Sequence, residues 1–329
     1  MESKEILRIE NLKTYFEVSE GLFSKKQYVK AVDDVSLYIN EGETFGLVGE
    51  SGCGKSTLGR TIVKLYEPTS GKIFFEGEDI TKIKSKEKLH YFHKDCQLIF
   101  QDPYASLDPR MTVGEIIKEP MEIHDMYSSN EEREKVCVEL LETVGLKPDH
   151  IRRYPHEFSG GQRQRISIAR TLALKPKFIV CDEPISALDV SIQAQIVNIL
   201  RDIQKNMNIA YLFIGHDLAM IETIADRIGV MYLGHLVEMG TAEEVYHHPV
   251  HPYTQALLSA VPLPDPVAGK NRQRMILEGE TPSPIDPPSG CPFRTRCRYA
   301  TEICGKEMPE MREFEGHMAA CARLGEISG

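Results

Sequence analysis

Gly49-Glu50-Ser51-Gly52-Cys53-Gly54-Lys55-Ser56-Thr57 has the form G-x-x-x-x-G-K-S, and its neighbours decide what that form means. Upstream, Thr44-Phe45-Gly46-Leu47-Val48 is apolar enough for a buried strand. Downstream, Leu58 to Tyr66 carries apolar residues at helical spacing. Strand, glycine loop and helix, in that order, is the setting in which the pattern cradles phosphate. Gly49, Gly52 and Gly54 permit tight turns that aim backbone N–H groups at phosphate oxygens. The helix start adds partial positive charge at the same place. Lys55 supplies a mobile full charge for the outer phosphates, and Ser56 a hydroxyl for Mg2+. A glycine-rich turn that binds nothing is disfavoured by so long a match in this setting.

The 329 residues allow one large domain plus an extra, with ample material for a core. A hydrophobic share of 41% and a charged share of 27% read as soluble and globular. The net charge of −10 argues against general affinity for nucleic acid or anionic lipid, so no nucleic-acid partner is expected. Membrane contact is expected to run through a protein partner. Met1-Glu2-Ser3-Lys4-Glu5 is polar, with no apolar signal core. The longest apolar stretch, Ile209 to Leu233, is broken by His216, Asp217, Glu222, Asp226 and Arg227. A cytoplasmic protein is expected, in which the eight cysteines are reduced thiols or metal ligands.

Residues 5–48 read as β-rich, with strands over Ile6–Ile9, Lys30–Ile39 and Thr44–Val48 and a surface hairpin loop over Glu20–Gln27. Lys72–Phe75 and Leu98–Gln101 read as further strands. Glu131–Val144, Arg163–Leu174 and Val190–Gln204 read as helices, Phe178–Asp182 and Ala210–Gly215 as core strands. The alternation predicts an α/β fold, a parallel sheet with helices on both faces. Beyond about residue 258 proline is dense and the chain reads as a linker and an irregular tail.

Other residues narrow the chemistry. Asp182, at the end of four apolar residues, can hold Mg2+ through water, and Glu183 can act as general base for an attacking water. Ser159-Gly160-Gly161-Gln162 then resembles the signature motif of the ATP-binding-cassette (ABC) ATPases. Gln101 resembles their Q-loop, Ser186-Ala187-Leu188-Asp189 their D-loop, and His216 their switch histidine, all in the family's order. The resemblance covers about residues 5–260. It implies a P-loop NTPase fold of ABC type: a RecA-like core, an antiparallel β subdomain and a helical subdomain over about 105–175, together spanning 1–258. A small, irregular, cysteine-rich C-terminal domain is expected over 259–329.

The resemblance also implies roles. Two such domains pair head to tail, with each ATP between the phosphate loop of one and Ser159–Gln162 of the other. Hydrolysis loosens the pair. His216 would contact the γ-phosphate and orient water. Gln101 would touch Mg2+ or water, in a loop that couples to a membrane partner. Asp189 would work across the dimer interface. Tyr15 is the first choice for the aromatic that stacks on adenine, with Phe16 and Tyr28 as alternatives. Phe158, where leucine is commoner, and Cys53, where serine is usual, depart mildly from the family pattern. Cys53, beside Lys55 and a helix start, is expected either to favour the thiolate and be open to alkylation or simply to be small enough for the site.

Tyr154–Ser159, Val190–Gln195 and His248–Thr254 resemble the ATP-binding subunits of oligopeptide and dipeptide permeases. His247, His248 and His251 are read as part of that loop motif rather than as metal ligands. The intact signature and the insert Gly21-Leu22-Phe23-Ser24 lean toward the F-type subunit. The resemblance implies an ATPase subunit that drives di- or oligopeptide import, peripheral on the cytoplasmic face of the membrane. Its implied partners are a D-type sister ATPase, two transmembrane permease subunits and, indirectly, an extracytoplasmic binding protein. Nickel or oligosaccharide import, or a non-transport ABC role, are the alternatives.

Cys291, Cys297, Cys304 and Cys321 are separated by five, six and sixteen residues. Zinc ribbons prefer C-x-x-C pairs, absent here. A [4Fe–4S] cluster tolerates irregular spacing, and the similar peptide-permease tails are associated with one. Arg294, Arg296 and Arg298 could offset its charge. An iron–sulfur cluster is the favoured reading, with Zn2+ and unliganded thiols as alternatives.

Overall fold

The computed structural model describes residues 4–18, 26–261, 275, 277 and 279–327. Part of the loop expected over 20–27, including the insert at 21–24, and the prolines at 262, 264 and 266 lie outside them. The chain divides into two compact units. One comprises the described residues of Met1–Ile6, Asn40–Glu43 and Lys82–Leu212, the other those of Leu7–Ile39, Thr44–Thr81 and Phe213–Gly329.

β1 (Glu5–Val18), β2 (Gln27–Asn40), β4 (Ser70–Phe75) and β5 (Glu78–Asp79), which belong to the second unit except at Glu5, Ile6 and Asn40, form a sheet in the order β2-β1-β4-β5. β1 and β4 run antiparallel, with Leu7 opposite Phe75 and Ile9 opposite Ile73. One face is apolar: Leu7, Ile9, Val35, Leu37 and Ile39 alternate with more exposed residues. A further run of strands has the order β11-β12-β10-β9-β3. β3 (Thr44–Val48) is buried at every residue, as an unbroken apolar run predicts, and pairs in parallel with β9 (Arg227–Tyr232). β9 turns into β10 (His235–Thr241) through Leu233 and Gly234 at φ 45° and 84°, a two-residue hairpin with both centres left-handed.

In the first unit, β6 (Cys96–Ile99) pairs in parallel with β7 (Phe178–Asp182). The helices Val113–Ile123, Asn130–Thr143, Gly160–Leu172 and Val190–Met207 bury Ile116, Ile117, Leu141, Ile166, Ile168, Ile196 and Leu200. β8 (Ala210–Ile214) is fully buried, with residues in both units.

The tail corrects one expectation. A separate cysteine-rich domain is not supported, because the described tail residues belong to the unit that holds the phosphate loop. β11 (Arg312–Phe314) and β12 (His317–Ala319) form a hairpin around Glu315-Gly316, and β12 extends the strand run beside β10.

The join is polar and buried. Glu238 of β10 and His317 of β12 have fully buried side chains, and His317 Nε2 lies 2.8 Å from Glu238 Oε1. The same carboxylate accepts the backbone N–H groups of Val250 at 2.7 Å and His251 at 3.1 Å. The hydrogen bond to Glu238 raises the His317 pKa. Burial holds neighbouring His251 down at about 4. A histidine raised in the folded state stabilises fully below its unfolded value, near 6.5, and loses that contribution as pH rises through its folded value. The denaturation free energy of wild type should therefore exceed that of His317→Asn most below about pH 6.5, and the gap should narrow as pH rises. His251 is common to both proteins and cancels. Denaturant titration across pH checks this; a gap that widens with pH would refute the charged pair.

Candidate phosphate-binding site

The loop after β3 has the conformation that its glycines permit. Gly49, Gly52 and Gly54 have φ of 153°, 81° and 108°. A Cβ at Gly49 would stand 2.1 Å from the Met231 carbonyl oxygen, and one at Gly54 1.9 Å from that of Ala31. Gly52 meets nothing within 4 Å, so only its dihedral needs glycine. Cys53 accepts the Gly234 N–H at 2.9 Å, and Gly234 accepts that of Asp33 at 2.8 Å, tying the loop to the β9–β10 turn and to β2.

Lys55, buried, begins the helix Lys55–Ile62. Its Nζ donates to the carbonyls of Gly49 at 2.7 Å and Glu50 at 3.1 Å, so the charge is held over the loop's own backbone. The helix ends earlier than apolar spacing predicts, because Lys64 adopts a left-handed φ of 61°. Ser56 and Thr57 form its first turn, with Ser51 exposed on the loop. Gly215 donates to Leu47 at 3.1 Å. The exposed His216 follows it, level with the end of β3 and beside the capping residue Asp217 of the helix Leu218–Ile224.

Glu50 is fixed at each polar group. Its N–H donates to the Tyr253 hydroxyl at 2.8 Å and its carbonyl accepts from Lys55. Its carboxylate accepts Arg296 Nη1 at 2.7 Å, Arg296 Nη2 at 3.1 Å and Thr281 Oγ1 at 3.0 Å. Sequence reasoning missed these partners. Arg296 lies 246 residues from Glu50, and no local periodicity links them.

Of the aromatic candidates, Tyr15 is half-buried, donates to Asp33 at 2.5 Å, and has the Lys30 ammonium 5.8 Å from its ring centre. Phe16 packs edge-on against Tyr66, and Tyr28 is exposed.

In the other unit, Gln101 follows β6 and Glu183 follows β7, and Gln101 Nε2 donates to Glu183 Oε2 at 2.8 Å. Asp182 is buried at the end of β7, whereas Glu183 takes the left-handed φ of 47°, costly for a residue with a Cβ. Ser159 caps the helix Gly160–Leu172. Its Oγ accepts from the Gln162 N–H, and Gln162 Oε1 accepts from the Ser159 N–H at 3.1 Å. The S-x-x-Q spacing encodes that capping box. Gly161 has a use inside the chain: a Cβ there would stand 2.5 Å from Ile192 Cγ2. Asp189 precedes the helix Val190–Met207 and is exposed, with no side-chain capping bond.

The tail cysteines Cys291, Cys297, Cys304 and Cys321 line one cavity of about 10 Å³, together with Arg294 and Arg323. Burial pushes the Cys291 thiol up to about 12, and raises those of Cys297 and Cys321. Among the described residues no group of three or more His, Cys, Asp or Glu side chains is placed to hold a metal ion, so neither the expected cluster nor Zn2+ finds a preformed site.

The ABC transporter family model matches residues 32–186, and that of the oligopeptide/dipeptide transporter C-terminal region matches residues 237–304. The chain is 53% identical over 328 residues to the oligopeptide transport ATP-binding protein OppF of Escherichia coli (strain K12), covering 98% of each chain. It is 52% identical over 318 residues to the oligopeptide transport ATP-binding protein AppF of Bacillus subtilis (strain 168), covering 96% of each. The dimeric post-hydrolysis state of the ATP-binding cassette MJ0796, bound to ADP and Pi, aligns with a TM-score of 0.64 at 27% identity, over 72% of this chain and 98% of that one.

The expected thiolate at Cys53 is overturned. The side chain is buried, and desolvation raises its pKa despite the opposing Lys55 charge. Its Sγ packs against Gly49, where an added Cβ would lie 2.8 Å from it. In the folded, metal-free protein near pH 7.5, a maleimide should modify half-buried Cys297 before Cys53. Peptide mapping by mass spectrometry that finds Cys53 labelled first would contradict this.

Proposed function

The chain belongs to the ABC transporter family, among the oligopeptide transport ATP-binding proteins, and we propose that it is the ATP-hydrolysing subunit of a peptide importer. The phosphate loop carries the reading. Its left-handed glycines, buried Lys55 and following helix present N–H dipoles and one full charge to a polyanion. Mg2+ would be held by Ser56 and, through water, by Asp182, with Gln101 at its edge. Glu183 acts as general base, and its hydrogen bond from Gln101 supports that role by orienting the carboxylate. His216 orients the attacking water at the γ-phosphate. Ser159–Gln162 of a second, head-to-tail ATPase closes on the same ATP, with Asp189 acting across that seam. Tyr15 stacks on adenine, its ring held by Asp33.

The paired ATPase is a D-type sister and the transport path is a pair of permease subunits, served by an extracytoplasmic binding protein. No described helix is long and apolar enough to cross a membrane. A groove of about 160 Å³ lined by Phe100, Ile123, His124, Arg170 and Leu174 supports docking to a permease. Ile123 is 60% exposed there, one residue type that a partner helix would cover. The chain would thus lie peripherally on the cytoplasmic face.

The four tail thiols are proposed ligands of a [4Fe–4S] cluster. The donor chemistry favours it, and Arg294 and Arg323 line the same cavity. Arg296 and Arg298 do not supply the expected offset, because Arg296 is paired with Glu50 and Arg298 lies over the Tyr299 ring. The cavity between the thiols holds no more than a water-sized body, so they must spread to admit a cluster. Zinc at 2.3 Å from four sulfurs needs them roughly 3.8 Å apart, a more compact set. When bound, the cluster would cross-link the tail.

Glu183→Gln should keep ATP binding and lower steady-state turnover by ~10²–10⁴. Undiminished turnover would remove Glu183 as base. Anaerobically purified protein should contain iron and an absorbance band near ~400 nm, and quadruple Cys→Ser substitution should abolish both. Iron-free wild type would refute the cluster.

A further inference from the structure

A carboxylate at the second position of a loop built for polyanions is an electrostatic misfit. Glu50 sits between Gly49 and Gly52, both left-handed, where phosphate would be received. Unneutralised, its charge would repel ATP. The structure supplies a neutralising partner from the tail. Arg296, with a 7% exposed side chain, meets the carboxylate through both terminal nitrogens, and Thr281 adds a third hydrogen bond.

Arg296 is itself held in place. Its N–H donates to the Phe293 carbonyl at 3.0 Å, and its guanidinium carbon lies 6.0 Å from the Tyr232 ring centre. Tyr232, Tyr253 and Phe293 pack edge-on or tilted, with centres 4.7–5.3 Å apart. Tyr253 also accepts the Glu50 N–H, so the cluster that seats Arg296 also holds the loop backbone. The side chain and the main chain of Glu50 are therefore fixed from one apolar platform.

We infer that Arg296 is a positioning residue for ATP binding, supplied by the C-terminal segment, which neutralises Glu50 and holds the phosphate loop in its receptive form. The inference rests on the ATPase reading and goes beyond it by giving the tail a part in the nucleotide site. Arg296 touches Glu50 rather than substrate. Its effect belongs in affinity for ATP and leaves the chemical step alone.

Opposite signs make the test sharp. Arg296→Gln leaves Glu50 unpaired and should raise the KM for ATP roughly 10-fold, with kcat changed less than about 3-fold. Glu50→Gln leaves the arginine charge near the loop and should lower KM. The double variant removes both charges and should return KM to within about 3-fold of wild type. KM and kcat are to be measured on the full chain, with binding of a fluorescent ATP analogue and a thermal melt for each variant. A merely structural arginine predicts a double variant at least as impaired as Arg296→Gln, and that result overturns the inference, as does an unchanged KM in Arg296→Gln. Should Arg296→Gln fail to fold, Glu50→Gln decides alone: tighter binding supports the inference, and unchanged or weaker binding overturns it. Wild type that neither binds nor cleaves ATP would instead overturn the ATPase reading and the inference with it.

Discussion

Backbone approach is the constraint on which the phosphate loop depends. At Gly49 and Gly54 two carbonyl oxygens, those of Met231 and Ala31, stand where a side chain would begin. The strands β9 and β2 are therefore pressed against the loop from both ends, and the loop keeps its N–H groups directed without help from a ligand. Cys53 belongs to this arrangement as a small buried group with its carbonyl bonded to Gly234. A thiol in that place is a packing element, and its proximity to Lys55 does not offset the loss of water.

The other unit concentrates strain where chemistry is expected. Glu183 holds a left-handed backbone angle directly after a buried strand, and the following turn is tied back to its carbonyl by Ser186 through both N–H and Oγ. Gln193 donates to the carbonyls of Ile185 and Leu188, fixing the segment that leads to Asp189. Such over-determination keeps a costly conformation populated. The carboxylate then projects from a rigid corner, already bonded to Gln101.

Most of the loop and helix-cap geometry was legible because it is local. Strand, loop and helix announce themselves by composition and period, and S-x-x-Q carries its own cap in Ser159 and Gln162. Helix ends were less legible: Lys64 stops the first helix through a φ that its side chain does not advertise. The glycines of 160–161 show another limit. Gly161 belongs to the motif expected to face the ATP of a paired domain, yet Ile192 already requires it within the chain. The tail was the least legible, since density of proline suggests irregularity, whereas its ordered contacts are with residues far away. Glu238 with His317 and Glu50 with Arg296 are separated by 79 and 246 residues, and neither pair has a periodic signal.

Those two long-range pairs explain why the tail sits in the unit of the phosphate loop. Each places an acid from outside the tail against a base of the tail, and each acid also bonds to backbone N–H groups of the segment 250–253 or to its tyrosine. The segment that carries His251 and Tyr253 is thus a shared support, touched from one side by Glu238 and from the other by Glu50. Removing the tail would leave both carboxylates short of a cation in buried or half-buried surroundings, a larger penalty than the loss of an exposed ion pair. The cysteines lie on the same side chain network through Phe293, two residues after Cys291, and Arg296, one before Cys297. Cys297 and the arginine that faces Glu50 are consecutive residues, so the thiol cluster and the support of the phosphate loop share one stretch of backbone.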